Sequence, residues 1–250
     1  MARALVTLLT DFGTADGYVA EMKGVLLTGA PDATLIDVSH DVPPQDVEAG
    51  RLALARYWKR FPEGTIHLVV VDPGVGTRRA GLAVESQRRY LVGPDNGVLS
   101  PALLAPGVRV ARLSVPAGTA NTFHGRDVFA PAAVHLALGQ PFDVLGAPVT
   151  EPVIRRTPEA RRAADGSLEG QVVTIDRFGN AITNLLGVKA GVVVVAGRSV
   201  PVRRVYADAA PGEPLALVGS SGLLEIAVRD GSAAALLGIV RGAPVTHRAG

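Results

Sequence analysis

The chain of 250 residues contains no cysteine, which removes disulfides, thiolate metal ligands and a cysteine nucleophile from consideration. It lacks a charge excess of either sign. Twenty-five Lys and Arg stand against 23 Asp and Glu, and a net charge of +2 gives no ground for a nucleic-acid partner. Lysine is nearly absent, confined to Lys23, Lys59 and Lys189, so the cationic side chains are mostly arginine. The one dense run, Arg155-Arg156 to Arg161-Arg162, sits among Thr157-Pro158-Glu159 and Asp165-Gly166 and reads as a solvated linker. No apolar run is long enough to cross a bilayer, and Met1-Ala2-Arg3-Ala4 leads directly into a strand pattern rather than a signal peptide. The expectation is a soluble, cytoplasmic chain with no membrane partner. No internal repeat is visible.

What is present changes character once. Up to about Val149, short β-branched runs (Ala4 to Leu9, Thr34 to Val38, Thr65 to Val71) alternate with stretches of helical spacing (Tyr18 to Leu27, Val47 to Trp58). Such alternation predicts an α/β domain, a mostly parallel sheet flanked by helices in a Rossmann-like arrangement. From Gly170 the helical spacing stops. Gln171 to Ile175, Val192 to Ala196, Val200 to Val205, Leu215 to Val218, Leu223 to Ala227 and Ala234 to Ile239 are short, closely spaced and separated by Gly, Asp, Asn or Pro, which predicts a smaller all-β barrel or sandwich. The boundary falls near residues 155 to 168, giving an N-terminal domain over 1–160 and a C-terminal domain over 161–250.

The most informative segment is Val69-Val70-Val71-Asp72-Pro73-Gly74-Val75-Gly76-Thr77-Arg78-Arg79. An apolar run ends in a carboxylate, and a glycine-rich turn then delivers an arginine. Ligands of open α/β sheets bind outside the carboxyl ends of the strands, so Asp72 and Arg79 belong on the working edge. Downstream, Thr122-Phe123-His124-Gly125-Arg126-Asp127 carries a histidine flanked by both charge signs. Together they suggest an Asp/Arg/His site. The turn is not a phosphate loop, because Gly76 is followed by Thr77-Arg78-Arg79 where the Walker pattern needs Lys and Ser/Thr, and no dinucleotide fingerprint follows the first strand. A metal site of Asp11, Asp72, Asp95 and His124 is a weaker alternative. It has no HxH or HxxxH spacing, and the arginine would oppose a cation.

The first strand also ends in an acid, in Leu9-Thr10-Asp11-Phe12-Gly13-Thr14-Ala15-Asp16-Gly17-Tyr18. Asp11 is placed to accept the vicinal hydroxyls of a ribose, while Asp16 or Thr14 is expected to cap the helix starting near Tyr18. Asp46, after Val38-Ser39-His40-Asp41-Val42-Pro43-Pro44-Gln45, is expected to cap the next helix. Gly93-Pro94-Asp95-Asn96-Gly97 is first a turn. His67 and His135 read as packing residues, and His247 as a tail residue.

Leu9-Thr10-Asp11-Phe12-Gly13, Asp37-Val38-Ser39-His40, Asp72-Pro73-Gly74-Val75-Gly76-Thr77, Thr122-Phe123-His124-Gly125-Arg126-Asp127 and Asp176-Arg177-Phe178-Gly179-Asn180 follow in this order over most of the chain. The ordered set closely resembles the S-adenosyl-L-methionine hydroxide adenosyltransferase family, the hydrolases related to fluorinase and chlorinase. The resemblance implies an N-terminal α/β domain and a C-terminal β-barrel, and a homotrimer with active sites between the N-terminal domain of one subunit and the C-terminal domain of the next. It also implies S-adenosylmethionine as substrate, with no other cofactor and no metal.

By the same resemblance Asp72, Arg79 and His124 position and activate a water or hydroxide, and Asp11 holds the ribose hydroxyls. Asp176 and Ser220 bind the amino and carboxylate groups of the methionine part. Phe178 and Asn180 lie around the adenine, and the backbone near Val228 and Asp230 reads the base edge. Gln45 stands where the halogenating relatives place a tryptophan. Those relatives have tyrosines in place of Asp72 and His124, and hydroxyl-bearing residues where this chain has Val75 and Gly125. The departures favour hydrolysis to adenosine and L-methionine over halogenation. A binding module with the same pocket but negligible turnover is the alternative from another class.

Overall fold

The computed structural model describes residues 3–249, in two compact units that divide between Arg155 and Arg156. In the first unit the order is β1 (Leu5–Thr10), α1 (Tyr18–Gly29), β2 (Thr34–Ser39), α2 (Val47–Tyr57), β3 (Ile66–Val70), β4 (Gly81–Ser86), β5 (Arg89–Pro94), α3 (Ser100–Leu103), β6 (Arg109–Leu113), α4 (Ala130–Ala137) and β7 (Gly146–Pro148). The seven strands form one sheet in the order β2-β1-β3-β5-β4-β6-β7. The β2-β1-β3-β5 half is parallel, as alternating β and α segments require, whereas β4, β6 and β7 run antiparallel. The sheet is therefore mixed. Its change of direction is made by the β4–β5 hairpin, where Gln87 and Arg88 both adopt positive φ (48° and 59°). Two such residues in a two-residue loop match the twist of the flanking strands, although neither is the usual Asn or Gly.

Both sheet faces are buried. Val6, Leu8, Leu68 and Val70 pack with Met22, Leu26, Phe129 and Leu136 of the α1/α4 layer. Their neighbours Leu9, Val69 and Val71 pack with Leu54, Trp58 and Leu99 on the other side. Such period-two alternation between two apolar layers explains why the central strands read as continuous hydrophobic runs. Asp46 caps α2, accepting the Ala49 N–H at 3.0 Å, as its position predicts. α1 differs from expectation: Gly17, in the left-handed region at φ 77°, precedes it with no side-chain cap, and Thr14 and Asp16 are exposed.

The second unit contains β8 (Arg161–Arg162), β9 (Leu168–Ile175), β10 (Ala181–Leu186), β11 (Val192–Val195), β12 (Arg198–Pro201), β13 (Pro214–Val218), β14 (Leu223–Val228), α5 (Ala233–Leu237) and β15 (Pro244–Arg248). The antiparallel order is β12-β11-β15-β9-β10-β14-β13, with β8 on β9. A bridge between Val202 and Ala216 brings the two ends together and nearly closes a barrel. Val172, Leu185, Val193, Leu224 and Ile226 fill it.

Several local expectations are corrected here. Ala234 to Ile239 reads as a strand but is a helix, because Ser232 caps it by accepting the Ala235 N–H, Gly238 ends it in the left-handed region, and alanines fill it. Arg161 and Arg162 of the expected linker pair with β9, and Arg155 donates to the Asn96 carbonyl at 2.9 Å. His247 is buried in β15, with Nε2 2.7 Å from the Ala190 carbonyl oxygen.

Candidate active site

Strands β1 and β3 are parallel neighbours with Thr10 opposite Val70, so Asp11 and Asp72 are carried to the same sheet edge by adjacent carboxyl ends. The turn after Asp72 is held by the Val75 N–H on the Asp72 carbonyl at 3.2 Å, and by the Thr77 hydroxyl and N–H on the Gly74 carbonyl at 2.7 and 3.2 Å. It brings Arg79 back alongside Asp72. Arg79 Nε donates to Asp72 Oδ1 at 2.9 Å and Nη2 donates to Oδ2. This is the two-point geometry a planar guanidinium makes with a carboxylate, and both side chains are largely removed from solvent.

His124 enters from another direction. It precedes a single π-helical turn, Gly125–Phe129, that leads into α4, and such wide turns re-aim side chains at helix starts. Its Nδ1 lies 2.9 Å from Arg79 Nη2. Arginine has donors only, so Nδ1 is the acceptor, and a neutral ring carries its proton on Nε2. Burial, then the Arg79 cation, push the His124 pKa below its ordinary value, against the opposing pull of Asp72 and Asp127. Nε2 has no partner among the described residues.

A cavity of about 400 Å³ reaches this trio at Asp72, with Asp11, Phe12, Tyr18, Gln45, Asp72 and Val75 on its walls, and Arg79 and His124 stand behind Asp72 rather than on the lining. Asp11 Oδ2 accepts the N–H of Gln45 at 2.7 Å, and Gln45 takes the left-handed conformation at φ 65° to offer it. Asp72, Arg79 and His124 are thus brought together, with Asp11 sharing a cavity with Asp72. Asp95, a member of the metal alternative, instead accepts the N–H of Val153 at 2.8 Å. No group of three or more His, Asp or Glu side chains converges as a metal site among the described residues. Phe12 and Tyr18 were not legible as cavity residues. Tyr18 reads only as a helix start, yet it is 47 % exposed and packs edge-on to Phe12 and Phe123.

In the second unit Asp176, Phe178 and Asn180 occupy one tight turn between β9 and β10. Asp176 Oδ1 accepts the N–H groups of Phe178 and Asn180, both at 2.9 Å, and Oδ2 accepts Asn180 Nδ2 at 3.0 Å. The acid is committed first to its own turn, and Phe178 is left 76 % exposed. Gly179, at φ 80°, is crowded by Ser232, and its carbonyl accepts the Ala234 N–H at 2.9 Å. That contact sets the turn beside the segment holding Val228 and Asp230. Val228 is buried and its carbonyl accepts the Gly231 N–H at 3.2 Å, while Asp230 is exposed at φ 58°. Ser220 is exposed in the β13–β14 turn. Sequence reasoning missed Glu225, buried against Gly219 of that turn, and Tyr206, whose pKa is raised by burial and by Glu225 and Asp176.

Comparison with known proteins agrees with the ordered motifs. The family model for the S-adenosyl-L-methionine hydroxide adenosyltransferase N-terminal domain matches residues 6–146, and that for the C-terminal domain matches residues 170–246. The chain belongs to this family. Among adenosyltransferase relatives, a protein of Thermus thermophilus named (R)-S-adenosyl-L-methionine hydrolase is 47 % identical, covering 96 % of this chain and 98 % of its own. One of the same name from Salinispora tropica is 42 % identical, over 95 % of each chain. A fluorinase of Actinopolyspora mzabensis is more distant, at 29 % identity over 90 % of this chain and 91 % of its own. The fold is shared with a crystal structure of a conserved protein from Thermotoga maritima, at TM-score 0.88 and 31 % identity, covering 97 % of this chain and all of that one.

Proposed function

We propose that this adenosyltransferase is an S-adenosyl-L-methionine hydrolase, transferring the adenosyl group to water and releasing adenosine and L-methionine. The observation that carries the reading is the Asp72–Arg79–His124 trio beside a cavity shared by Asp11 and Asp72, together with full-length relatives named as hydrolases.

Asp11 accepts the ribose hydroxyls and brings C5′ towards Asp72. A water there accepts a hydrogen bond from His124 Nε2–H and donates one to Asp72, which uses one lone pair on each oxygen for Arg79. The water oxygen attacks C5′ in line with the sulfur, the C5′–S bond breaks, and its electron pair stays on the neutral thioether of methionine. The proton lost by water passes to Asp72 and then to solvent. Arg79 acts mainly by holding its two partners, since Nε and Nη2 are already engaged and Nη1 reaches the Ala80 carbonyl at 3.3 Å. As Asp72 takes up the proton its negative charge is lost while the sulfonium loses its positive charge, and a dry pocket favours that neutralisation. At about 4 Å and an effective dielectric near 20, one unit charge pair is worth roughly 4 kcal/mol. Val75 brings no hydroxyl to the cavity wall, so halide desolvation gains no donor there.

Asp176 and Ser220 hold the methionine end, Phe178 and Asn180 face the adenine, and the backbone near Val228 and Asp230 reads the base edge. A homotrimer brings these residues of one subunit to the first unit of the next, in a cytoplasmic enzyme that needs no cofactor. The test is incubation with S-adenosylmethionine in oxygen-18 water, with mass spectrometry of the products. Labelled adenosine is expected. Unlabelled adenosine, or none, overturns the proposal.

A further inference from the structure

The Asp37-Val38-Ser39-His40 segment plays no part in the reaction as derived, yet its geometry is directed at the site. His40 is 6 % exposed. Its Nδ1 lies 2.9 Å from Thr10 Oγ1, while Nε2 stands 3.0 Å from Asp37 Oδ1 without good hydrogen-bond alignment. Asp37 also takes Lys23 Nζ at 2.5 Å. A carboxylate beside Nε2 keeps the ring proton on that side, so Nδ1 accepts the hydrogen of the Thr10 hydroxyl. The hydroxyl oxygen then receives the N–H of Phe12 at 3.3 Å.

The same residue acts through its backbone. The His40 carbonyl accepts the Gly13 N–H at 2.8 Å, and Val42 donates to the Thr10 carbonyl at 3.4 Å. Residues 10 to 13 are therefore stapled to residues 40 to 42 on both sides of Asp11. The carboxylate of Asp11 is tied in turn to Gln45, five residues after His40. Four hydrogen bonds fix the direction of one acid, and the imidazole closes the set. Two vicinal hydroxyls are held together more tightly by a carboxylate whose orientation is set beforehand, because a freely turning one must be ordered at the moment of binding.

We infer that His40 is a positioning residue which, through Thr10, orients Asp11 for the paired hydroxyls of a ribose and so makes the site select ribonucleosides. The inference rests on the reading of Asp11 given above. Calorimetry tests it on the full chain with three probes: adenosine, 2′,3′-dideoxyadenosine and L-methionine. The unaltered protein is expected to bind adenosine at least about tenfold more tightly than the dideoxy compound, as two hydrogen bonds to a carboxylate would give. His40→Leu brings that ratio to within about threefold and leaves methionine binding unchanged. His40→Asn, which returns a polar group near the Nδ1 position, keeps the ratio above about fivefold.

Thr10→Val removes the hydroxyl while leaving the buried imidazole in place. It is expected to match His40→Leu and decides the matter if His40→Leu does not fold. A ratio unchanged in either variant, including equal weakening of both nucleosides, overturns the inference. Absence of discrimination in the unaltered protein overturns it together with the assignment of Asp11. Discrimination without hydrolysis of S-adenosylmethionine sinks the proposed activity and leaves the role of His40 standing.

Discussion

Arg79 Nη2 donates to His124 Nδ1 across 2.9 Å, and this single contact fixes the histidine as a neutral ring with its proton on Nε2. Protonation would give both nitrogens a hydrogen and set Nδ1–H against the guanidinium. Activity should therefore fall on the acid side as His124 charges. Because burial and Arg79 lower its pKa, the neutral ring persists below the ordinary value of about 6.5, and the acid limb of kcat/KM should lie below that pH. His124→Gln, which keeps an N–H donor, should remove that limb at a cost in rate. A limb centred above pH 6.5 would count against the assignment.

Asp72→Asn should lower kcat by about 10²- to 10⁴-fold, the usual contribution of a positioned base, with KM changed much less. It should also cost about 3 kcal/mol of stability, because Arg79 is left almost buried without its counter-ion. Arg79→Lys should lose nearly as much activity, since an ammonium cannot bridge both Asp72 oxygens and Nδ1 of His124. Steady-state kinetics with thermal unfolding separates the two effects. A KM rise at unchanged kcat would assign the trio to substrate holding.

Phe178 is a large apolar side chain left 76 % exposed by its turn. Phe178→Ala should change stability by no more than about 0.5 kcal/mol. The same change should weaken adenosine binding about tenfold or more, the range of base–aromatic stacking. Calorimetry beside chemical denaturation reads both. Unchanged adenosine affinity would remove Phe178 from the base site.

His67 lies wholly within β3, with Nδ1 2.8 Å from the Thr7 hydroxyl and Tyr57 and Phe61 edge-on to the ring. Burial, then Arg89, lower its pKa to about 4. Between about pH 4 and 6.5 the unfolded chain binds a proton that the folded chain does not, so stability declines as pH falls through this window. The contribution of this group is about 3 kcal/mol in full. His67→Gln should flatten the slope. Unfolding at pH 7 and 4.5, followed by the fluorescence of buried Trp58, checks it.

In the parallel half of the first sheet, β1 and β3 were legible because both are buried on both faces and therefore almost continuously apolar, whereas β2 is a partly exposed edge strand read from its alternation with the helical stretches. The antiparallel half was not, since its direction depends on a two-residue turn of Gln87 and Arg88 that carries no glycine or asparagine. α5 was misread because five small and apolar residues have no distinguishing period, and only Ser232 and Gly238 mark its ends. Asp72, Arg79, His124 and Asp11 stood out as charged residues just past apolar runs or in a histidine motif of mixed charge. Tyr18 and Glu225 did not. The first resembles an ordinary helix start and the second an outward strand residue, and only the fold turns one to a cavity and buries the other.

The π-helical turn at Gly125–Phe129 holds one residue more than an α-helical turn would, just after His124 and just before the packed face of α4. Removing any one residue there would leave a regular helix able to pack, but would rotate His124 by about 100° relative to that face. The spacing between Arg79 and the imidazole is thus encoded in chain length as well as in residue identity. This segment should tolerate many substitutions on its outer side and no single-residue deletion.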